Sequence, residues 1–271
     1  MRTAMSMGKL ARAAGSVLVC RATWGGSQNF LGARWVERIV DGAPTRFREL
    51  IALRLLALSP HYFYARDVCA EAARNRRSRQ VLAETLIAPH LTPDARALDY
   101  GCGPGYLAAA VARHAAHVDA VDISRGVLAC ARVLNGGSNI TYRTPEQFRA
   151  RAGLVDVAYS FAVVQHLRTG VLEQMLDQLA AAVRPGGVLL LHFATVENGY
   201  KTEAECLADG SFVGRVRLRY GLNCFARTPA EMTALLTRHG FTDAVVRPLN
   251  AVIAIPDDDI PDQQLLIARR A

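Results

Sequence analysis

The sequence predicts an α/β fold, in which helices cover both faces of a doubly wound, mostly parallel sheet and a helical extension precedes the sheet. Short apolar strands alternate with helical segments from about residue 95 onward, and a glycine-rich turn joins the first strand to the helix after it. The chain has 271 residues, of which 51% are hydrophobic, so it can bury a large core without disulfides or a metal ion.

The extension, residues 1–89, is expected to contain a loose start through about Phe30 and then three helices. Pro44 suits a first helical turn, and Ser59-Pro60 is expected to end the second helix. The helices are expected near Gly32 to Val40, from Pro44 to Leu58, and from Tyr64 to about Ala88.

A glycine-rich turn follows the first strand of the sheet. The strand, Ala95 to Tyr100, leads into Gly101-Cys102-Gly103-Pro104-Gly105 and then into an Ala-rich helix, Tyr106 to His114. Because glycine has no Cβ, the chain can turn sharply here and bring backbone N–H groups close to a polar or anionic ligand. A dinucleotide fingerprint would have its third glycine where this chain has Tyr106, so the spacing argues against NAD.

Two carboxylates accompany this turn. Asp99 comes just before the glycines, and Asp122 closes the second strand, His117 to Asp122. A carboxylate at the end of the second strand can accept hydrogen bonds from both hydroxyls of a ribose. The pattern therefore indicates a site for a nucleoside-containing cofactor.

The remaining elements follow in the order that a doubly wound sheet requires. Pro and paired Gly residues stop a helix before the fifth strand, and Thr228-Pro229 opens a late helix that Gly240 ends. The further strands are expected at Val155 to Ser160, Val188 to Phe193, Val245-Val246 and Leu265-Leu266-Ile267.

The run from Asp99 to Gly105, together with Asp122 and the segment Phe161 to Leu167, resembles the class I S-adenosylmethionine-dependent methyltransferases of the small-molecule type. The resemblance covers roughly residues 90–271. It implies a Rossmann-like, seven-stranded, mostly parallel sheet and S-adenosylmethionine as the cofactor. It also implies methyl transfer to a small molecule, preferably at a hydroxyl oxygen of a secondary metabolite, sugar or lipid-linked intermediate.

The resemblance assigns roles to individual residues. Thr144 departs from the family pattern, which often has an acidic residue at that position near the adenine. The implied cofactor-binding residues are Asp99, Gly101, Gly103 and Gly105 around the methionine portion, Asp122 on the ribose, Ile123 and Glu146 near the adenine, and Phe161.

His166 is the candidate general base. An imidazole titrates near neutrality and could take a proton from an acceptor hydroxyl, although a histidine here could instead orient the substrate or only pack. His192, near the end of the fifth strand, is the second choice. The histidines expected at the surface or at helix ends are His61, His90, His114, His117 and His239.

Substrate specificity is expected in residues 195–227, which are far longer than an ordinary strand-to-helix connection. This segment is interpreted as a substrate-side insertion in a core of residues 90–271. Within it, Val213 to Tyr220 alternates basic with other residues and could form a short strand or an arm.

Charge is concentrated in the extension. Residues 1–80 contain 14 Lys or Arg and 5 Asp or Glu, which is a net charge of +9. Residues 81–271 carry a net charge of −1. Only Lys9 and Lys201 are lysines, and guanidinium groups can grip phosphate or carboxylate with two hydrogen bonds. An anionic substrate, a carrier protein, a membrane surface or RNA would fit this charge, but solvated helix faces are the favoured interpretation.

Cysteine usage and hydropathy point to a cytoplasmic protein. The six cysteines show no Cys-x-x-Cys pair and no metal-ligand spacing with histidine, so we expect reduced thiols and no metal. No apolar run is long enough for a transmembrane helix, and the stretch from Met7 to Cys20 is interpreted as a weak helix rather than a cleaved signal.

Two alternative functions remain open from the sequence. The first is an RNA methyltransferase that uses the basic extension, and the second is a non-catalytic scaffold that binds S-adenosylmethionine. Enzymes that methylate amino groups of nucleic-acid bases have an Asn/Asp-Pro-Pro-aromatic motif after the fourth strand, where this chain has Ser160-Phe161-Ala162-Val163. The sequence leaves the oligomeric state open.

Overall fold

A computed structural model describes residues 33–57, 67–149, 154–219, 221–254 and 263–271. The expected loose start, the stretch from Met7 to Cys20 and His61 lie outside these residues. The strands are β1 Arg96–Tyr100, β2 His117–Val121, β3 Ile140–Arg143, β4 Val155–Ser160, β5 Val183–Phe193, β6 Lys201–Thr202, β7 Phe225–Ala226, β8 Phe241–Pro248 and β9 Gln264–Arg270. The α-helices are α1 Ala33–Gly42, α2 Thr45–Ala57, α3 Val68–Leu82, α4 Tyr106–Val111, α5 Arg125–Asn135, α6 Pro145–Arg149, α7 Thr169–Ala182, α8 Glu203–Ala208, α9 Phe212–Arg219 and α10 Pro229–Arg238.

Seven of the strands form one sheet in the order β3-β2-β1-β4-β5-β9-β8. Strands β1 to β5 are parallel, and β9 runs antiparallel to both β5 and β8. The chain builds outward from β1 to β3 and then returns to place β4 on the other side of β1. Ligands of such sheets bind at the carboxyl ends of the strands where the order reverses, so the topology puts the site beside β1 and β4. The predicted seven-stranded, mostly parallel fold is confirmed.

The two faces of the sheet are buried by different helices. On β5, Val188 and Leu190 pack in one cluster with Leu107 of α4, while Leu189 and Leu191 pack in another with Leu176 of α7. This division follows from the strand's period of two, which sends successive side chains to opposite faces. Both faces of β5 are covered, which explains why the run from Val188 to Leu191 is continuously apolar.

The helical extension packs on the glycine-turn side of the core. Val36 of α1 and Ala52 of α2 lie in one buried cluster with Tyr106 of α4 and Cys130 of α5. An ion pair between Glu37 and Arg125, 3.0 Å apart, adds a polar link between α1 and α5. The described helices of the extension are therefore fastened to the helix that follows β2. No helix in the described residues is long and apolar enough to cross a membrane.

Three local expectations differ from the structure. Residues 212–219 form the helix α9 instead of a strand or an arm, because Ser211 Oγ accepts the Gly214 N–H at 3.0 Å and starts a helical turn. The third helix of the extension ends at Leu82 and continues as a π-turn and a 3₁₀ turn that contains Pro89, whose nitrogen donates no hydrogen bond. Strand β5 begins at Val183, which pairs with Val155 across a bulge, and not at Val188.

The start of α10 provides a stability prediction. Thr228 Oγ1 accepts the Glu231 N–H at 3.2 Å, and the Glu231 carboxylate accepts the Thr228 N–H at 2.7 Å, which is a complete capping box. We expect Thr228→Ala to lower the free energy of unfolding by about 1 kcal/mol. Urea denaturation measures this change. The matched control is Thr237→Ala in the last turn of the same helix, with an expected change within about 0.5 kcal/mol; equal effects would contradict the capping role.

Candidate functional site

The glycine turn lies at the carboxyl end of β1 and is anchored to the end of β2. The Gly101 and Cys102 N–H groups both donate to the Val121 carbonyl, at 2.7 and 2.9 Å. The φ angles of Gly101, Gly103 and Gly105 are 85°, 51° and 81°, in the left-handed region that other residues rarely adopt. The sequence therefore needs glycine here for the backbone conformation itself.

Close packing around the turn gives a second reason for glycine. A Cβ at Gly101 would overlap the side chain of Val163, which follows β4, and a Cβ at Gly105 would overlap the hydroxyl of Tyr142 on β3. The turn therefore forms a narrow cradle between the ends of three strands. Packing against these neighbouring side chains therefore also requires glycine at positions 101 and 105.

Asp122 fixes this cradle from the end of β2. Its Oδ2 accepts the Gly103 N–H at 3.0 Å and its Oδ1 accepts the Ser124 N–H at 2.8 Å. Burial raises the pKa of the Asp122 carboxyl, while these two backbone N–H groups act in the opposite direction. Each carboxylate oxygen keeps a second lone pair, which is the requirement for binding two vicinal hydroxyls.

Asp99 is a buried acid beside the same turn. It is 2% exposed, and its Oδ2 has no hydrogen-bond partner among the described residues. Burial first, and then the negative charge of Asp122, raise the pKa of Asp99 well above its usual range. An unpartnered buried carboxyl oxygen is costly unless a ligand satisfies it, so Asp99 fits a cationic group such as the ammonium of S-adenosylmethionine.

Arg79 acts electrostatically on Asp99, and the sequence analysis did not single it out. It lies in α3, it is half-buried, and its positive charge acts against the rise in the pKa of Asp99. Its Nη1 donates to Ser78 Oγ at 2.8 Å, which orients the guanidinium from within the helix. The Arg79 guanidinium and the Asp99 carboxyl therefore interact electrostatically. In sequence, Arg79 is hidden in a run of arginines, 74 to 79, that is typical of a solvated face.

Ile123 and Glu146, which the sequence analysis expects near the adenine, are both exposed. Ile123 is 47% exposed directly after β2, so an apolar ring could cover it. Glu146 is exposed in the first turn of α6 rather than in a loop. Thr144, the departure from the family pattern, caps this helix: its Oγ1 accepts the Gln147 N–H at 3.4 Å, and Gln147 Oε1 accepts the Thr144 N–H at 2.9 Å. The capping role gives Thr144 a structural reason of its own.

Phe161 and His192 pack together at the ends of β4 and β5. Their rings stack with centroids 5.7 Å apart and an interplanar angle of 17°. His192 is fully buried, and its Nδ1 accepts the Ala162 N–H at 3.3 Å. Ala162 has a φ of 59°, a strained conformation for a residue with a side chain, and such strain is often found at functional sites. Stacking on His192 therefore holds Phe161 just beyond the carboxyl end of β4.

His166 lies in a short 3₁₀ turn, Val164–His166, beyond the end of β4. Its Nδ1 is 3.0 Å from the Asn223 carbonyl oxygen and 3.7 Å from Cys224 Sγ. Because a carbonyl only accepts, this contact favours the tautomer with hydrogen on Nδ1 and the basic lone pair on Nε2. Burial lowers the pKa of His166, although the Asn223 hydrogen bond raises it in part. The lowered pKa favours the neutral form of the imidazole.

The other histidines with described contacts lie away from this edge. His117 is 3.7 Å from Asp119, and His239 Nδ1 is 2.9 Å from Asp177. Among the described residues, no group of three or more His, Cys, Asp and Glu side chains is placed to hold a metal ion.

Comparisons with known proteins identify the family of the chain. A family model described as a methyltransferase domain matches residues 70–244. A ubiquinone biosynthesis O-methyltransferase of Dinoroseobacter shibae is 29% identical over 197 residues, which are 68% of this chain and 77% of that protein. A protein of the same name from Aromatoleum aromaticum is 26% identical over 175 residues, which are 60% of this chain and 73% of that protein.

Solved structures share the fold. Magnesium protoporphyrin IX methyltransferase from Synechocystis PCC 6803 with bound S-adenosylmethionine superposes with a TM-score of 0.53 and 16% identity, covering 100% of both chains. Human N-acetylserotonin methyltransferase in complex with S-adenosylmethionine gives a TM-score of 0.52 and 16% identity, over 98% of this chain and 68% of that one.

The geometry of Asp122 gives a binding prediction. We expect Asp122→Ala to weaken S-adenosylmethionine binding about 100-fold, because a hydrogen bond to a charged group contributes about 1.5–3 kcal/mol. Asp122→Asn keeps one acceptor oxygen, so we expect its affinity to lie between those of the wild type and Asp122→Ala. Calorimetric titration measures the affinities. The control is Asp177→Ala on the exposed face of α7; unchanged affinity in Asp122→Ala would rule out the ribose contact.

Proposed function

The chain belongs to the methyltransferase domain family, whose cofactor is S-adenosylmethionine, and on this premise we propose that it methylates a hydroxyl oxygen of a small-molecule acceptor. The observation that supports the proposal most is the convergence of the glycine turn, Asp122 and the neutral His166 at one edge of the sheet. The names of the two curated relatives, both O-methyltransferases of ubiquinone biosynthesis, favour oxygen as the methylated atom.

The cofactor contacts follow from charge and shape. We assign the methionine ammonium to Asp99 and the methionine carboxylate to Arg79, with Gly101, Gly103 and Gly105 providing the backbone cradle. Pairing with a cation would return the buried Asp99 carboxyl to its charged form. Asp122 takes the ribose hydroxyls, and Ile123, Glu146 and Phe161 complete the proposed set of cofactor-binding residues.

The residues of the chain have little covalent chemistry to perform. S-adenosylmethionine supplies an already activated methyl group when it is bound. The chain must hold the acceptor oxygen in line with that group, exclude water, and remove the hydroxyl proton. We propose that His166 Nε2 takes the proton and that the Asn223 carbonyl, bonded to Nδ1–H, stabilises the imidazolium that forms.

Buried amides suggest what the acceptor presents. Gln165 Oε1 and Asn223 Nδ2 are buried without a hydrogen-bond partner among the described residues, and both belong to the segments that hold His166. One acceptor atom and one donor atom suit a neutral polar group on the substrate. We propose an acceptor with such a group next to the hydroxyl. The relatives' names favour a lipid-linked intermediate over a sugar.

The extension and the cell compartment are further proposals. We divide the chain at residue 89 into a helical lid and a methyltransferase core, with residues 195–227 on the substrate side.

We also propose a cytoplasmic location, supported by the free thiols of all five cysteines in the described residues. The RNA alternative is not favoured, because two arginines of the extension pair within the chain: Arg74 with Glu71 and Arg76 with Glu49.

Methyl transfer itself provides the test of the proposed function. Purified full-length protein, labelled S-adenosylmethionine and a panel of catechols, prenylated phenols and sugars are expected to give a methyl ether with at least one acceptor class. Labelling of RNA alone would support the RNA alternative, whereas cofactor binding without transfer to any acceptor would support a scaffold.

The role of His166 gives a kinetic prediction. We expect His166→Ala to lower the turnover rate about 100-fold and to leave S-adenosylmethionine affinity within about twofold. In the wild type the rate is expected to fall as the pH drops through a pKa below 6.5, because burial lowers the pKa of this base and only its neutral form accepts a proton. A pH–rate profile and calorimetry measure these effects. His114→Ala is the control, and full turnover in His166→Ala would contradict the base role.

A further inference from the structure

We propose that Arg227 is a positioning residue for methyl transfer, because it fixes the turn that presents His166 and thereby the ring nitrogen that faces the acceptor. The inference rests on the proposed function, since it concerns how the general base is held. Arg227 lies in the substrate-side insertion, more than fifty residues along the chain from His166.

Arg227 holds the turn at both of its ends. Its Nη1 donates to the Val164 carbonyl at 3.0 Å, and its Nη2 donates to the Leu167 carbonyl at 2.5 Å. These carbonyls bracket His166 in the sequence. The Arg227 N–H also donates to the Ala194 carbonyl at 2.9 Å, which ties the residue to the end of β5. The arginine therefore connects the ends of β4 and β5 through the turn that contains His166.

The burial of Arg227 indicates that it does more than cover the surface. It is 6% exposed, and among the described residues no carboxylate lies within 4 Å of its guanidinium. Burying a cation without a contacting carboxylate is costly, and the negative charges of Glu203 and Glu231 offset this cost only from a distance. A packed apolar residue would fill the space at lower cost. A guanidinium is required here because its planar fork can reach two separated carbonyls at once, which a lysine cannot do.

The same segment orients the imidazole ring. The carbonyl oxygen of Asn223, four residues before Arg227, accepts a hydrogen bond from His166 Nδ1. Strand β7, Phe225–Ala226, lies between them and pairs with β6, which fixes the spacing of the two contacts. The Asn223 carbonyl thus fixes the ring and Arg227 fixes the backbone. The consequence is one tautomer in one orientation.

Two titratable groups of the insertion, Cys224 and Glu203, also lie near the turn. Cys224 Sγ is 3.7 Å from His166 Nδ1, and burial raises the pKa of that thiol, which keeps it neutral. Glu203 at the start of α8 accepts from Arg168 Nε at 3.0 Å and from Thr169 N–H at 2.7 Å. The insertion therefore fastens the chain just after His166 as well. Arg227 is the residue that acts on the turn itself.

Histidine NMR tests the positioning role without an acceptor. In full-length protein labelled with ¹⁵N-histidine, long-range ¹H–¹⁵N spectra report the tautomer, and His166→Ala assigns the His166 signals. We expect the Nδ1–H tautomer alone in the wild type and a mixture of tautomers in Arg227→Met. Arg227→Lys, which reaches one carbonyl, is expected to lie between them. Arg238→Met, on the exposed face of α10, is the control with wild-type signals.

Calorimetry and methyl transfer complete the test. In calorimetry, we expect the affinity of Arg227→Met for S-adenosylmethionine to stay within twofold of that of the wild type. In methyl transfer to the acceptor found in the panel, we expect the turnover of Arg227→Met to fall at least tenfold without a matching rise in KM. A wild-type tautomer in folded Arg227→Met would overturn the inference. If Arg227→Met fails to fold, Arg227→Lys decides by the same signals. Full turnover in His166→Ala together with a changed tautomer in Arg227→Met would instead show that the proposed base is wrong and the positioning contact real.

Discussion

The hydrogen bond from the Gly103 N–H to the Asp122 carboxylate is the interaction on which the ligand edge depends. It joins the turn after β1 to the end of β2, and the Gly101 and Cys102 N–H groups reinforce it by donating to Val121. The turn keeps its left-handed glycines only because these contacts and the neighbouring strands define its path. The same carboxylate is assigned to the cofactor, so the folded turn and the binding site share one group.

Different interactions form the cofactor side and the acceptor side of the proposed site. On the proposed cofactor side, the buried Asp99 carboxyl has an oxygen without a hydrogen-bond partner among the described residues, which a cationic group of the ligand would satisfy. On the acceptor side, backbone carbonyls and a buried guanidinium hold a neutral histidine. In this proposal, charge recognises the cofactor, whereas the acceptor meets a neutral base and amides. This contrast fits a reaction in which the cofactor carries the charge and the chain moves a single proton.

Much of the sheet could be predicted from the sequence, because strand and turn signals are local. The strand at 155–160 and the helix after Thr228 were found from periodicity and capping residues. Arg79 and Arg227 were missed because their roles depend on partners distant in sequence, and each looks like an ordinary surface arginine when read alone. The alternation at 213–220 fits both a strand and a helix, and the Ser211 cap, which decides between them, is a single hydrogen bond. The roles of His166, Glu146 and Phe161 stay predictions.

The central claim is that the glycine turn, Asp99 and Asp122 select S-adenosylmethionine over a dinucleotide. Calorimetric titration of the wild-type protein with S-adenosylmethionine and, separately, with NADH tests it most directly. We expect saturable binding of S-adenosylmethionine with a dissociation constant in the micromolar range, which corresponds to a binding free energy of about −8 kcal/mol, and no heat of binding with NADH. Binding of NADH, or of neither molecule, would contradict it.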